Sequence, residues 1–188
     1  MKRAVRCLLL GMAVTLGTVQ LRAADSNIVK ALREQYDVTS ALVMGMAEAI
    51  PEEKYGYKPT PEVRSFREQL QHLVQENNNY VSIMNGEDTG DQQRFFKIMG
   101  RAELLKALRD SYDRAKKAIA DLTDEKAVEV VSVSPTAPSG IRGMQKPKWA
   151  IMMAVMLDNM DHYGNLVVYA RLNGIVPPRT AARQQQTK

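Results

Sequence analysis

The chain has 188 residues, 26 lysines and arginines against 21 aspartates and glutamates, and a formal charge of +5. The basic excess lies at the ends (Lys2, Arg3, Arg6 and Arg22; then Arg179, Arg183 and Lys188), so the body between is near charge balance and a nucleic-acid partner loses its electrostatic support. The single cysteine, Cys7, falls in the leader, which excludes disulfides, a thiolate metal site and a cysteine nucleophile from the rest of the chain.

Lys2, Arg3 and Arg6 form a basic start, Cys7 to Val19 is an apolar run, and Leu21-Arg22-Ala23-Ala24 supplies small residues at a cleavage point. This layout predicts a secretory signal peptide over residues 1–24. The apolar run is shorter than the roughly 20 residues of a membrane span, and no later segment is apolar enough to span. Cys7 does not end the run, so no lipoprotein-type anchor is suggested. The protein is therefore expected outside the cytoplasm, periplasmic or secreted. Without disulfides its stability must come from its core, which fits a bacterial periplasm. Residues 25–178 are of single-domain length, enough to bury a normal core.

Four helical stretches follow. The first covers about Ser26 to Ile50, where Ile28, Leu32, Tyr36, Thr39, Val43, Met46 and Ile50 make one stripe at three- and four-residue spacing. Pro51 ends it. Pro51 to Pro61 reads as an extended linker. The second helix begins near Ser65, which forms a capping box with Glu68. Phe66, Leu70, Leu73, Val74, Val81 and Met84 are its apolar face, with His72, Glu76 and Asn79 on an adjacent one. Asn85-Gly86 breaks it. Asn77-Asn78-Asn79 reads as a solvated face, with a polar pocket wall as the alternative.

The third helix spans about Arg101 to Leu122 on a stripe of Leu105, Leu108, Tyr112, Ala115, Ile119 and Leu122. Ala127 to Ser134 has β-like composition, and Ser134 to Lys148 is rich in proline and glycine. That region is expected to be a long irregular connection with at most a short strand. The fourth helix runs from about Pro147, in its first turn, to Leu172. It carries one stripe of Trp149, Met152, Met156, Tyr163 and Val167, and a second of Val155, Asp158, His162, Leu166 and Tyr169. Asn173-Gly174 terminates it, and Pro177-Pro178 is expected to prevent a restart, leaving 179–188 as a disordered polar tail. The fold class is all-α: a four-helix bundle with a long irregular connection before the last helix.

Asp158 and His162 are four apart and stack on one helical face, a carboxylate–imidazole clamp suited to a divalent metal. His72, the other histidine of the chain, lies on the second helix. Taken singly, each histidine reads as a hydrogen-bonded residue. Tyr163, Tyr169, Trp149 and the methionines read as packing residues. Arg171 favours the helix dipole. Ser65, Ser132 and Ser134 have no histidine and carboxylate at useful spacing, so serine hydrolase chemistry has no support.

The run His162 to Pro178 (HYGNLVVYARLNGIVPP) and the stretch Ala47 to Pro61, leading through Arg64-Ser65-Phe66 to Gln71-His72-Leu73, resemble the DinB-like superfamily of metal-dependent four-helix bundles. The resemblance covers essentially all of the chain after the leader. It implies a metal site with one histidine from the second helix and two from the fourth in an H-x-x-x-H pattern. His72 matches the first position and His162 the last. Asp158 occupies the middle one, where histidine is usual, and Asn165 stands where glutamine is common. Some relatives are thiol-dependent transferases or isomerases.

Two readings of function follow. In one, the protein is an exported enzyme of hydrolase or thiol-dependent transferase type, with a small-molecule substrate. Zinc, nickel, iron or manganese is held by His72, Asp158 and His162, and Glu76 or Asp161 serves as base or substitute ligand. In the other, it is a non-catalytic exported bundle acting in binding or dimerisation, with a vestigial site in which Asp158 and His162 simply pair. A homodimer is expected in either case.

Overall fold

The computed structural model describes residues 28–135, 137 and 140–186. The expected signal peptide lies outside them. Helix α1 (Ile28–Ala49) buries Leu32, Tyr36, Thr39, Val43 and Met46, the stripe its spacing predicts. The linker after it is not free chain. Glu52–Lys54 forms a 3-10 turn, and the buried Tyr55 hydroxyl donates to the Ala47 carbonyl at 3.1 Å.

Helix α2 (Phe66–Asn85) starts on the expected capping box. The Ser65 amide donates to Glu68 Oε2 at 2.6 Å, and the Glu68 amide donates to Ser65 Oγ at 3.2 Å. The Phe66 and Arg67 amides donate to the Tyr57 and Tyr55 carbonyls at 3.0 and 2.9 Å. The linker thereby satisfies first-turn amides that a helix cannot satisfy itself. Gly86, at φ +70°, closes α2 in the left-handed conformation glycine adopts at no steric cost.

Helix α3 (Arg101–Ala120) buries Leu104, Leu108, Tyr112, Ala115 and Ile119. The stripe extends back through Leu104, four before Leu108, and Leu105 is left half-buried. The long connection is more ordered than expected. It holds the single turn α4 (Asp124–Ala127) and two short antiparallel strands, β1 (Val130–Ser132) and β2 (Gln145–Pro147), with Val131 opposite Lys146. Helix α5 (Lys148–Leu172) has Pro147 as its N-cap rather than in its first turn. The expected disordered tail is also corrected: Pro178–Gln186 forms α6, which lies against α1. Asn173-Gly174 does end α5, but Pro178 begins α6, because proline is tolerated where a helix begins and the first-turn amides have no partner within the helix.

The main helix contacts are α1 with α3 and α5, and α2 with α3 and α5. A bundle of four therefore surrounds the core, with α1 diagonal to α2. At its centre, side chains from all four helices meet in a polar network. The Tyr36 hydroxyl and the Asn159 amide donate to Asn77 Oδ1 at 3.1 and 3.0 Å. Asn77 donates to Ser111 Oγ at 3.1 Å, and the Tyr112 hydroxyl donates to Asn159 Oδ1 at 2.5 Å. Asn77, Asn79 and Asn159 are 0% exposed. The reading of Asn77 to Asn79 as a solvated face is thus wrong for Asn77 and Asn79. Asn77 faces inward because polar partners on α1, α3 and α5 receive it, and Asn79 bonds Glu76 on its own helix.

Asn77→Ala should leave Tyr36, Ser111 and Asn159 each short of a partner and cost about 2–4 kcal/mol of stability. Urea unfolding should show a lower midpoint at unchanged slope; a loss under about 1 kcal/mol would show that the network contributes little.

Candidate metal centre

The α2–α5 contact places His72 opposite Asp158 and His162. One ligand atom from each of the three lies within 4.8 Å of the others. His162 Nε2 is 3.7 Å from Asp158 Oδ1, and the two imidazoles meet edge to face with centroids 4.8 Å apart and planes at 79°. His162 is buried; His72 and Asp158 are half-buried. The structure therefore unites the three residues that the sequence singled out.

Each imidazole is aimed by a glutamine. His162 Nδ1 lies 2.6 Å from Gln69 Oε1, and His72 Nδ1 lies 3.0 Å from Gln75 Oε1. A carbonyl oxygen only accepts, so Nδ1 carries the hydrogen in both rings and Nε2 presents its lone pair. Gln69 is itself held, because its Nε2 donates to the Tyr169 hydroxyl at 3.4 Å, and that hydroxyl donates to the Arg64 carbonyl at 2.8 Å. Such outer partners fix tautomer and ring orientation in metal sites. Sequence reasoning missed both glutamines. The available signal was their spacing: Gln69, His72 and Gln75 recur every three residues on a helix otherwise lined with core residues.

Asp158 Oδ2 is buried and has no hydrogen-bond partner. An orphaned carboxylate oxygen is costly in an apolar setting, and a cation beside it removes that cost. Ligands bound at about 2.0–2.2 Å in a tetrahedral set lie roughly 3.3–3.6 Å apart. The cluster needs a contraction of about an ångström to reach that spacing. Two imidazoles and a carboxylate suit zinc, iron, nickel or manganese, so the residues present fit a divalent cation.

The electrostatics agree with neutral imidazoles. Burial, the neighbouring His72 and Arg64 push His162 down to about 4. Burial first, then Arg64, lowers His72. Burial and Asp161 raise Asp158 to about 6. Glu76, one turn after His72, is 6% exposed, and burial plus the Asp158 charge raise it to about 8. The Arg64 charge acts on all four groups. At neutral pH Glu76 thus keeps its proton, and Asp158 is the carboxylate of the cluster. Asp161 is exposed and shapes the site only through its charge.

A four-helix bundle with an inward His–Asp–His cluster across two helices defines a class of metal-type helical bundles. The DinB family model matches residues 27–187, and the chain belongs to the DinB family. The same fold occurs in a DinB-like protein from Bacillus cereus, at 13% identity and a TM-score of 0.67 over 79% of this chain and 95% of that one. A DinB-like protein from Bacillus subtilis is 21% identical, with a TM-score of 0.56 over 79% of this chain and 92% of that one. No curated protein matches the chain.

Glu76 generates a pH prediction. Burial and the Asp158 charge raise it from the ordinary carboxylate value of about 4.5 to about 8, so the folded form takes up a proton, and stability is lost as pH rises across that range. Glu76→Gln removes that loss. In chelator, the variant should exceed wild type by about 1 kcal/mol at pH 5 and about 3–4 kcal/mol at pH 8. Equal differences at both pH values, read by urea unfolding, would show that Glu76 titrates normally.

Proposed function

We propose that this protein is an exported, divalent-metal-dependent DinB enzyme in which His72, Asp158 and His162 hold the ion. The observation that carries the reading is the pair of glutamine-aimed imidazoles converging on a carboxylate whose buried oxygen has no other partner. A vestigial site has no need of the Gln69–Tyr169–Arg64 relay behind His162. Three protein donors leave coordination positions open to a small molecule. A bound ion would supply Lewis acidity toward a carbonyl or thiol substrate.

The chain's own residues supply the rest. Gln69 and Gln75 hold the imidazoles in the donor tautomer. Glu76 keeps a proton in the site at neutral pH, as a general acid requires. Arg64, exposed at the N-terminal end of α2, provides positive charge toward an anionic portion of a substrate. The leader 1–24 carries the export reading.

Untagged wild-type protein should take up about one equivalent of zinc, nickel, iron or manganese, measured by elemental analysis and calorimetry. His162→Ala and Asp158→Ala should abolish uptake. Asp158→His, which restores three imidazole donors, should retain it. Gln69→Ala should weaken affinity about 10- to 100-fold without removing a ligand. Wild-type protein that takes up none of the four metals and gains no thermal stability from any of them refutes the proposal in favour of a non-catalytic bundle. Export is checked separately: protein recovered from a bacterial envelope fraction should begin near Ala24 or Asp25, and an intact Met1 there would disprove cleavage.

A further inference from the structure

Helix α5 differs from its neighbours in the bundle. It buries Ile151, Met152, Val155, Met156 and Leu166, yet its outward side is also apolar. Met153 is 41% exposed, Leu157 66%, Met160 38%, Val168 51% and Leu172 59%. With Gly164 these residues follow three- and four-residue steps and make one stripe. At about 1.5 Å per residue the stripe is roughly 28 Å long. A helix that is apolar on all sides is normally covered on all sides. Met153, Leu157 and Met160 also form one wall of an apolar groove of about 430 Å³ whose other wall includes Ile28 and Leu32 of α1.

Two further features tie the stripe to a particular occupant. The first is Gly164. Glycine inside a helix costs about 1 kcal/mol relative to alanine, and a Cβ built there meets nothing within 4 Å. The single chain therefore gives no steric reason for glycine, whereas a second helix crossing at that point does. The second feature is charge. Asp161 and Arg171 are exposed on the same side of α5, and neither side chain has an ion pair or hydrogen bond among the described residues.

We propose that α5 packs antiparallel against α5 of a second copy of this chain, about a twofold axis at the level of Leu166. In that register Asp161 faces the partner's Arg171, Met160 meets the partner's Leu172, and the partner's Val168 fills the space over Gly164. Each contact occurs twice, as an isologous interface requires. A foreign partner would need no such internal relation between a hole and a knob, or between an acid and a base, placed symmetrically about one point of one helix. Two helices packed along this length, with the α1 wall of the groove beside them, reach toward the roughly 800 Å² per partner of a standard interface. His162 and Asn159 are buried within the bundle, so the inference does not depend on the metal proposal.

Sedimentation of the full-length chain tests it. Wild type should run as a dimer, twice the 21.1 kDa chain mass, at micromolar concentration. Val168→Glu should weaken the dimer about 100-fold or more. Gly164→Leu should do the same with an unchanged far-ultraviolet circular dichroism spectrum, because the single chain has room for the new side chain. Arg171→Asp should weaken dimerisation, and adding Asp161→Arg should recover it. A wild type that sediments as a monomer overturns the proposal, whether residues 1–24 cover the stripe or nothing does. So does a dimer that survives both Val168→Glu and Gly164→Leu, or a charge-swapped double variant that recovers nothing.

Discussion

The hydrogen bond from Asn159 to Asn77, 3.0 Å long and wholly buried, is the contact on which the rest of the site depends. Apolar stripes alone hold helices loosely in register, because a slide of one turn, about 5.4 Å, matches one stripe to the next. A slide of α5 would break this bond and the bond from Tyr112 to Asn159 in the same step. Several polar groups would then be stranded without water, each at a cost of about 1–3 kcal/mol. Asn77 follows Glu76 directly and lies five residues after His72. Asn159 follows Asp158 directly and lies three before His162. The polar bond that sets the register of α2 on α5 therefore also sets the distance between the candidate ligands.

The site itself works against folding. Asp158 and Glu76 are carboxyl groups raised by burial, and His162 is an imidazole lowered by burial. Each favours the unfolded chain over part of the pH range. Arg64 offsets the carboxylates only in part, since its side chain is exposed and its charge screened. A cation bound by the folded chain alone would shift the balance back by mass action. The apolar packing around α2 and α5 and the central network sustain the fold with the cluster metal-free. This is the physical reason to expect metal uptake and thermal stability to move together.

Local signals were readable in the sequence. Ser65 and Glu68 are three apart and act on each other's backbone, so their capping box needs no tertiary information. Asp158 and His162 lie on one helix, and the resemblance supplied His72 across the bundle. The groups that act through other elements were harder to see. Asn77 and Asn79 look solvated in isolation, because what buries them is the meeting of four helices. Tyr36 and Tyr112 carried the missing hint: a hydroxyl inside an apolar stripe must find a buried partner. The α6 helix was hidden for a different reason. A double proline reads as a stop, but a proline is also a good first residue of a helix, and only packing against α1 distinguishes the two.

Aspartate at position 158, where the resembled pattern has histidine, changes more than one ligand. A neutral imidazole there would place no negative charge beside Glu76. Glu76 would then feel burial opposed by Arg64 and the Asn79 hydrogen bond, and would lose its proton more readily. With Asp158 present, its charge adds to the burial that already raises Glu76, so Glu76 remains protonated. The exchange therefore links two features of this chain that look separate: a carboxylate ligand in the cluster and a retained proton one helical turn from His72. The pairing of an ionised acid with a protonated one follows from where α2 and α5 meet, which is the position that Asn77 and Asn159 hold.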